Sequence, residues 1–220
     1  MPRTTYAWRA LLPLKDDIQN PRPPVATVIL IVVAIGLALS GWHPDLDSMP
    51  WPVAALLASV LTAGIIQLVV NMLFVWLFGK SVEGSLTAGG LLAVYFLGAV
   101  AAAGIADLLG DAPVPATGGA SAVAALIAAH LVLHPRAKIM CWVLIPFFVT
   151  FVAVPSFVLA LVWVALQAVP AIGDTAGAAF PDDPGVTVAL LAGGLVFGAV
   201  VAGLARAGGL ARAESGQPAY

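Results

Sequence analysis

The chain has 220 residues, of which 61% are hydrophobic and 9% charged, and its formal net charge is −2. A soluble domain carries roughly 25% charged residues, so this composition, with a mean hydropathy of +1.05, excludes a water-covered globule and points to a bilayer as solvent. The small net charge excludes a nucleic-acid-binding surface, and a single cysteine, Cys141, excludes an internal disulfide or a cysteine-based metal site.

Residues 1–24 are polar and proline-containing and are read as a cytoplasmic N-terminal segment; so long a lead argues against a cleaved signal peptide. Apolar runs then predict six membrane-spanning helices near 25–41, 54–79, 88–109, 119–133, 139–168 and 186–206, each needing about 20 apolar residues. The second and fifth exceed one membrane thickness, so each is expected to include interfacial helix or a tilted segment. GWHPDLDSMPWP (41–52) and the Asp/Gly/Pro-rich stretch 170–185 are read as loops, and 207–220 as a disordered cytoplasmic tail. The expected architecture is an all-α, polytopic six-helix bundle over residues 25–206.

Charge placement supports this segmentation. With the N-terminus in the cytoplasm, Arg3, Arg9, Lys15, Arg22, Lys80, Arg136, Lys138, Arg206 and Arg212, which are all 9 basic residues, fall inside. Asp45, Asp47, Asp107, Asp111, Asp174, Asp182 and Asp183 fall outside, as the positive-inside rule predicts. A multi-pass plasma-membrane protein with both termini cytoplasmic follows. No internal repeat is visible, which weakens a transporter reading.

Polar side chains at membrane depth are the informative ones. In the second span Gln67 and Asn71 are four apart and share one helix face. Two amides so placed suit either an oxyanion-type pocket or hydrogen bonds to a neighbouring helix. The fourth span is built of small residues, from Gly118, Gly119, Ala120 and Ser121 onward. The sixth holds Gly194 and Gly198 as a GxxxG pair, so these two helices are expected to pack closely. Ser121 and His130 are nine residues apart, about 13 Å along a helix, too far to form a pair. His130 and His134 are read as interfacial helix-end histidines, and His43 as a solvated loop histidine.

Four segments then resemble one family, the rhomboid intramembrane serine proteases. They are PLKDDIQNPRPPV (13–25), QLVVNMLFVWLFGKSVEG (67–84), LVLHPRAKI (131–139) and VPSFVLALVWVALQ (154–167), in the family's order. The resemblance runs from about residue 13 to 206. It implies a six-helix fold with a Ser–His dyad, the serine in Gly-x-Ser-Gly on the fourth span and the histidine in Ala-His-x-x-Gly on the sixth. Counting back from HPRAKI puts the family's serine on Ala120 and its following glycine on Ser121; LLAGG (190–194) puts the histidine on Leu191. Both dyad positions are apolar. The upstream histidine of the second span falls on Gln67, while its asparagine is retained as Asn71. The first outer loop is also shorter than in the proteases and lacks their Trp-Arg pair.

Ser121 remains as a fallback nucleophile, but the sixth span offers no base, and a serine without a positioned base is a weak nucleophile. The expectation is therefore a rhomboid-like pseudoprotease with no catalytic residues, in which Ser121 serves helix packing. Gln67, Asn71 and Ser121 are expected to meet transmembrane segments of client proteins. The bilayer is its other partner, and no cofactor or metal is expected. The alternatives are an active rhomboid endopeptidase using Ser121 and, more remotely, a small-solute transporter.

Overall fold

The computed structural model describes residues 23–42, 44–61, 64–110, 118–145, 148–167 and 184–211. The lead-in up to residue 22, His43, the predicted loop as far as residue 183 and the tail beyond 211 lie outside the described residues.

Helix α1 (Val25–Ser40) ends at Gly41, whose φ of 65 gives the left-handed cap that glycine adopts without strain. Helix α2 (Trp51–Val60) starts with a proline in its first turn, where no amide hydrogen is needed. The predicted second span is not one helix. Leu61 is extended at φ −89 and ψ 146, Gly64 is extended as well, and a new helix α3 (Ile65–Phe74) begins after them. It passes through a π-turn, Val75–Gly79, into α4 (Lys80–Gly110).

Residues Ile65–Leu108 form a 44-residue apolar run, about 66 Å if straight and so roughly twice a hydrocarbon core of about 30 Å. Thr87 breaks it, with φ 78 and ψ 169. The chain reverses there, as the neighbours of helix α5 (Gly118–Leu133) show. Before the break, Asn71 lies beside Gly119 and Ser81 beside His130, so this part runs parallel to α5. After it, Gly98 faces Phe197 and Gly193 faces Ala102, antiparallel to the last helix, α7 (Pro184–Ala207). α7 in turn runs parallel to α5, with Gly194 on Ser121 and Gly198 on Ala125.

The predicted fifth span, and with it the all-α expectation, is corrected. Residues Lys138–Ile145 (β1) and Phe148–Pro155 (β2) pair as an antiparallel hairpin, in register from Lys138↔Pro155 to Ile145↔Phe148. The run is rich in Ile, Val, Phe and Trp, which favour extended backbone, and Pro146 and Pro155 deny it a continuous helix. Helix occupies only α6 (Ser156–Gln167), 12 residues or about 18 Å. The fold is mostly helical with this one hairpin.

Two stretches, Ile65–Leu108 and Val188–Ala207, are long and apolar enough to cross a membrane, and α1, α2, α5 and α6 are shorter apolar helices. Large apolar side chains line the outside, among them Val32 at 62% and Leu161 at 64% exposure. The interior holds Phe78, Tyr95, Leu126 and Trp163, all fully buried.

Helix ends are closed by side chains from distant segments. Glu83 accepts hydrogen bonds from the Ala26 and Thr27 amides, both 2.9 Å, and from the Thr27 hydroxyl at 2.7 Å. A carboxylate there meets the unpaired amides and positive end of α1. The Tyr95 hydroxyl donates to Ser59 O at the end of α2, 2.7 Å, and Arg206 Nη1 donates to Val132 O at the end of α5, 2.8 Å. Glu83→Ala leaves the buried donors of α1 unpaired and is expected to destabilise the detergent-solubilised protein by on the order of 3 kcal/mol, with Glu83→Gln intermediate. Thermal unfolding of the three proteins side by side measures this.

Candidate functional site

The buried face of α3 carries Gln67, Leu68, Asn71, Met72 and Phe74, so the two amides sit on one face and point inward. Asn71 is fully buried, and neither its Nδ2 nor its Oδ1 has a hydrogen-bond partner among the described residues. Its Nδ2 stands 3.5 Å from where a Cβ on Gly119 would lie. Ser59 O and Leu61 O stand 3.3 Å from the same point. Three features therefore meet around one glycine: the chain break after α2, the first turn of α5 and the Asn71 amide. A side chain at 119 would push into all three.

The rest of the first α5 turn is closed. Gly118 opens the helix, and Ala120 and Ser121 are each 1% exposed. Gly194 sits so close to Ser121 that a Cβ there would collide with the Ser121 carbonyl, and a Cβ on Gly198 would collide with the Ala125 carbonyl. The GxxxG pair on α7 thus lies directly on the carbonyl edge of α5, a contact that only small residues permit. Gly119 faces α2 and α3, not α7. Leu191, one turn before Gly194, packs half-buried against the core. Of the side chains on α7, only Arg206 is titratable, and it is engaged with Val132 O at the helix's far end.

The structure also assembles polar groups that the sequence reading left apart. His130 and His134 are not solvent-facing; they are buried inside the bundle, 0% and 2% exposed. His130 Nδ1 lies 2.7 Å from Ser81 Oγ, and His134 Nε2 lies 2.9 Å from Ser85 Oγ. Serines four apart on α4 meet histidines four apart at the end of α5, His134 standing one residue past it, and that matched spacing was the signal available in the sequence. The Ser81 hydroxyl has one proton, and it donates to Phe78 O at 2.9 Å. His130 Nδ1 and this hydroxyl share one hydrogen bond, whose direction follows the imidazole tautomer. The His130 ring is wedged edge-on against Phe78, 4.8 Å between centroids, and 5.3 Å from His134. This ladder is a buried brace between helices.

Helix α6 contributes a third group. Trp163 and Gln167 are both buried, and Trp163 Nε1 and Gln167 Nε2 have no partner among the described residues. The Trp163 ring lies 6.3 Å from Phe74, which sets this face of α6 against the inward face of α3. Asn71, Trp163 and Gln167 thus offer N–H donors that no described residue uses, in the part of the bundle where α3 meets α5 and α6.

The Rhomboid domain family model matches residues 47–207. No curated protein and no solved structure matches the chain.

An unpaired amide buried at 0% exposure carries a desolvation penalty of about 1–3 kcal/mol. Asn71→Leu, close in volume and apolar, is therefore expected to stabilise the fold by about that amount. A higher Tm in detergent for the variant than for the parent protein is the measurement; a lower Tm would mean that Asn71 is held by a partner.

Proposed function

The chain belongs to the rhomboid family, and from that premise we propose that it is a multi-pass membrane pseudoprotease that binds transmembrane segments of client proteins. Six membrane crossings and cytoplasmic termini belong to the same reading, supported by the placement of all 9 basic residues on one side of the predicted topology.

One observation carries the loss of hydrolysis. The helix packed on the Ser121 backbone is α7, and the position on it where the family's histidine falls is Leu191. Hydrolysis by a serine needs a base within hydrogen-bond reach, and neither Leu191 nor any other side chain in that part of α7 supplies one. The family's serine position, Ala120, has no hydroxyl.

The binding role rests on donors that hydrolysis does not require. A transmembrane helix that partly unwinds exposes carbonyl oxygens with no water to bond, and these seek donors within the bilayer. Asn71, Trp163 and Gln167 present buried N–H groups without partners among the described residues, and Gln67 lies one turn above Asn71 on the same face. Retaining such groups at a cost in stability makes sense where something else is to be bonded.

The second reading, an active endopeptidase, draws its support from two serines, Ser121 one residue past the family's serine position and Ser81 at 2.7 Å from a histidine. Purified protein treated with a fluorophosphonate probe, beside Ser121→Ala, Ser81→Ala and a rhomboid with an intact dyad, separates the readings. No labelling of the parent protein beside a labelled control is expected; labelling lost in either variant identifies the nucleophile and overturns the pseudoprotease. Photo-crosslinkers at positions 67 and 71 are expected to capture membrane proteins in native membranes. Their capture is expected to fall in Trp163→Phe, which removes one donor and keeps the ring.

A further inference from the structure

The hairpin β1–β2 leaves the bundle at its base, where Met140, Val152 and Ala153 are exposed. Among the described residues the two strands pair only with each other, so each keeps one edge of backbone groups outside the ladder. At about 3.4 Å per residue the strands are roughly 27 Å long. They are tied to the bundle at the base, where Ser156 N donates to Ala137 O at 3.0 Å and Ile139 is fully buried. Cross-strand neighbours share a face and successive residues alternate. Met140 and Ala153 therefore mark one face and Val152 the other. Met140 is 38% exposed and Val152 42%, so both faces are open just above the base.

The chemistry of this element restricts what can surround it. From Ile139 to Pro155 the sequence holds no charged residue, and Thr150 is its one hydroxyl. A lone two-stranded hairpin is marginal in water even with a polar face, and this sequence alternates no run of polar residues with its apolar ones. The hydrocarbon centre is excluded for the opposite reason, because unpaired strand edges have no partners there. The remaining environment is the membrane interface, where side chains reach the acyl chains while backbone edges meet water and headgroups. Trp142, near the middle of β1, is a residue type enriched at that depth.

Charge and continuity say which interface. The hairpin springs from the bundle end that carries Arg136 and Lys138, both exposed, with Arg206 on the neighbouring helix end and no acidic residue anywhere in 134–167. The helix that follows continues an apolar outer surface directly, with Phe157 52% and Leu161 64% exposed. We infer that the hairpin lies in the headgroup–acyl boundary of the leaflet at the basic end of the bundle, with Arg136 and Lys138 on anionic lipid headgroups, and that it anchors the molecule laterally there. The inference rests on the bundle being embedded in a bilayer and is independent of client binding.

The test places nitroxides at Met140→Cys and Val152→Cys, each in a Cys141→Ser background, in full-length protein reconstituted into phosphatidylcholine–phosphatidylglycerol vesicles. Val200→Cys, on the exposed side of α7, gives the lipid reference, and Asp47→Cys, in the loop before α2, gives the aqueous one. The expected result is an oxygen-to-nickel-chelate accessibility ratio at both hairpin positions severalfold above that at Asp47→Cys and below that at Val200→Cys. A hairpin ratio equal to the Asp47→Cys value, with Val200→Cys still lipid-like, overturns the inference and leaves the embedded bundle standing. An aqueous value at Val200→Cys as well overturns the embedding itself. Spin–spin broadening at the hairpin that disappears on dilution with unlabelled protein also overturns it, because a second copy then covers the strands.

Discussion

Ala125 is the point on which the bundle turns. Gly98 of α4 approaches its side chain and Gly198 of α7 approaches its carbonyl, each so closely that a Cβ on the glycine would collide. Between helices in lipid there is little hydrophobic driving force, and association depends on close van der Waals contact. Three helices converging on one alanine maximise that contact. The arrangement also fixes what lies one turn above, because the same register that seats Gly198 on Ala125 seats Gly194 on Ser121. The first turn of α5 is thereby committed to backbone packing, and a leucine at 191 extends the apolar seam.

What the sequence made legible was whatever depends on local periodicity. Small residues at helical spacing on α5 and α7, the shared face of Gln67 and Asn71, and the reversal between 79 and 88 all follow from patterns within one segment. The hairpin did not, because an apolar run of that length satisfies a membrane helix and a pair of buried strands equally well. Its prolines and β-branched residues were the discriminating signal. The break at 61–64 was hidden for a similar reason, since Leu61 and Gly64 interrupt the helix without interrupting the hydrophobicity.

Long-range polar partners were the other blind spot. Glu83 and α1 are more than fifty residues apart, as the 57-residue separation from Ala26 records. Ser81 and His130 are separated by 49. No window on the sequence relates such residues, although each obeys one constraint: a helix end or a buried polar atom in an apolar medium must find a partner. Tyr95, Arg206 and Glu83 close three different helix ends. Beside these closed ends, Asn71, Trp163 and Gln167 keep donors with no partner among the described residues near the candidate site, and His130 Nε2 and Ser156 Oγ are likewise unpartnered elsewhere.

The closure of α1 by Glu83 also orders events during synthesis. The chain emerges from the ribosome N-terminus first, and the carboxylate that α1 needs is 57 residues behind Ala26. At about 5–20 residues per second, roughly 3 to 11 s pass before it exists. Through that interval the first helix has no internal partner for its leading amides and must leave them to water at the membrane surface. It can enter the bilayer but cannot take its final place. Helix α1, made before Glu83, is thus fixed after it, and the bundle closes around α1 only after the turn of helix holding Glu83 has arrived.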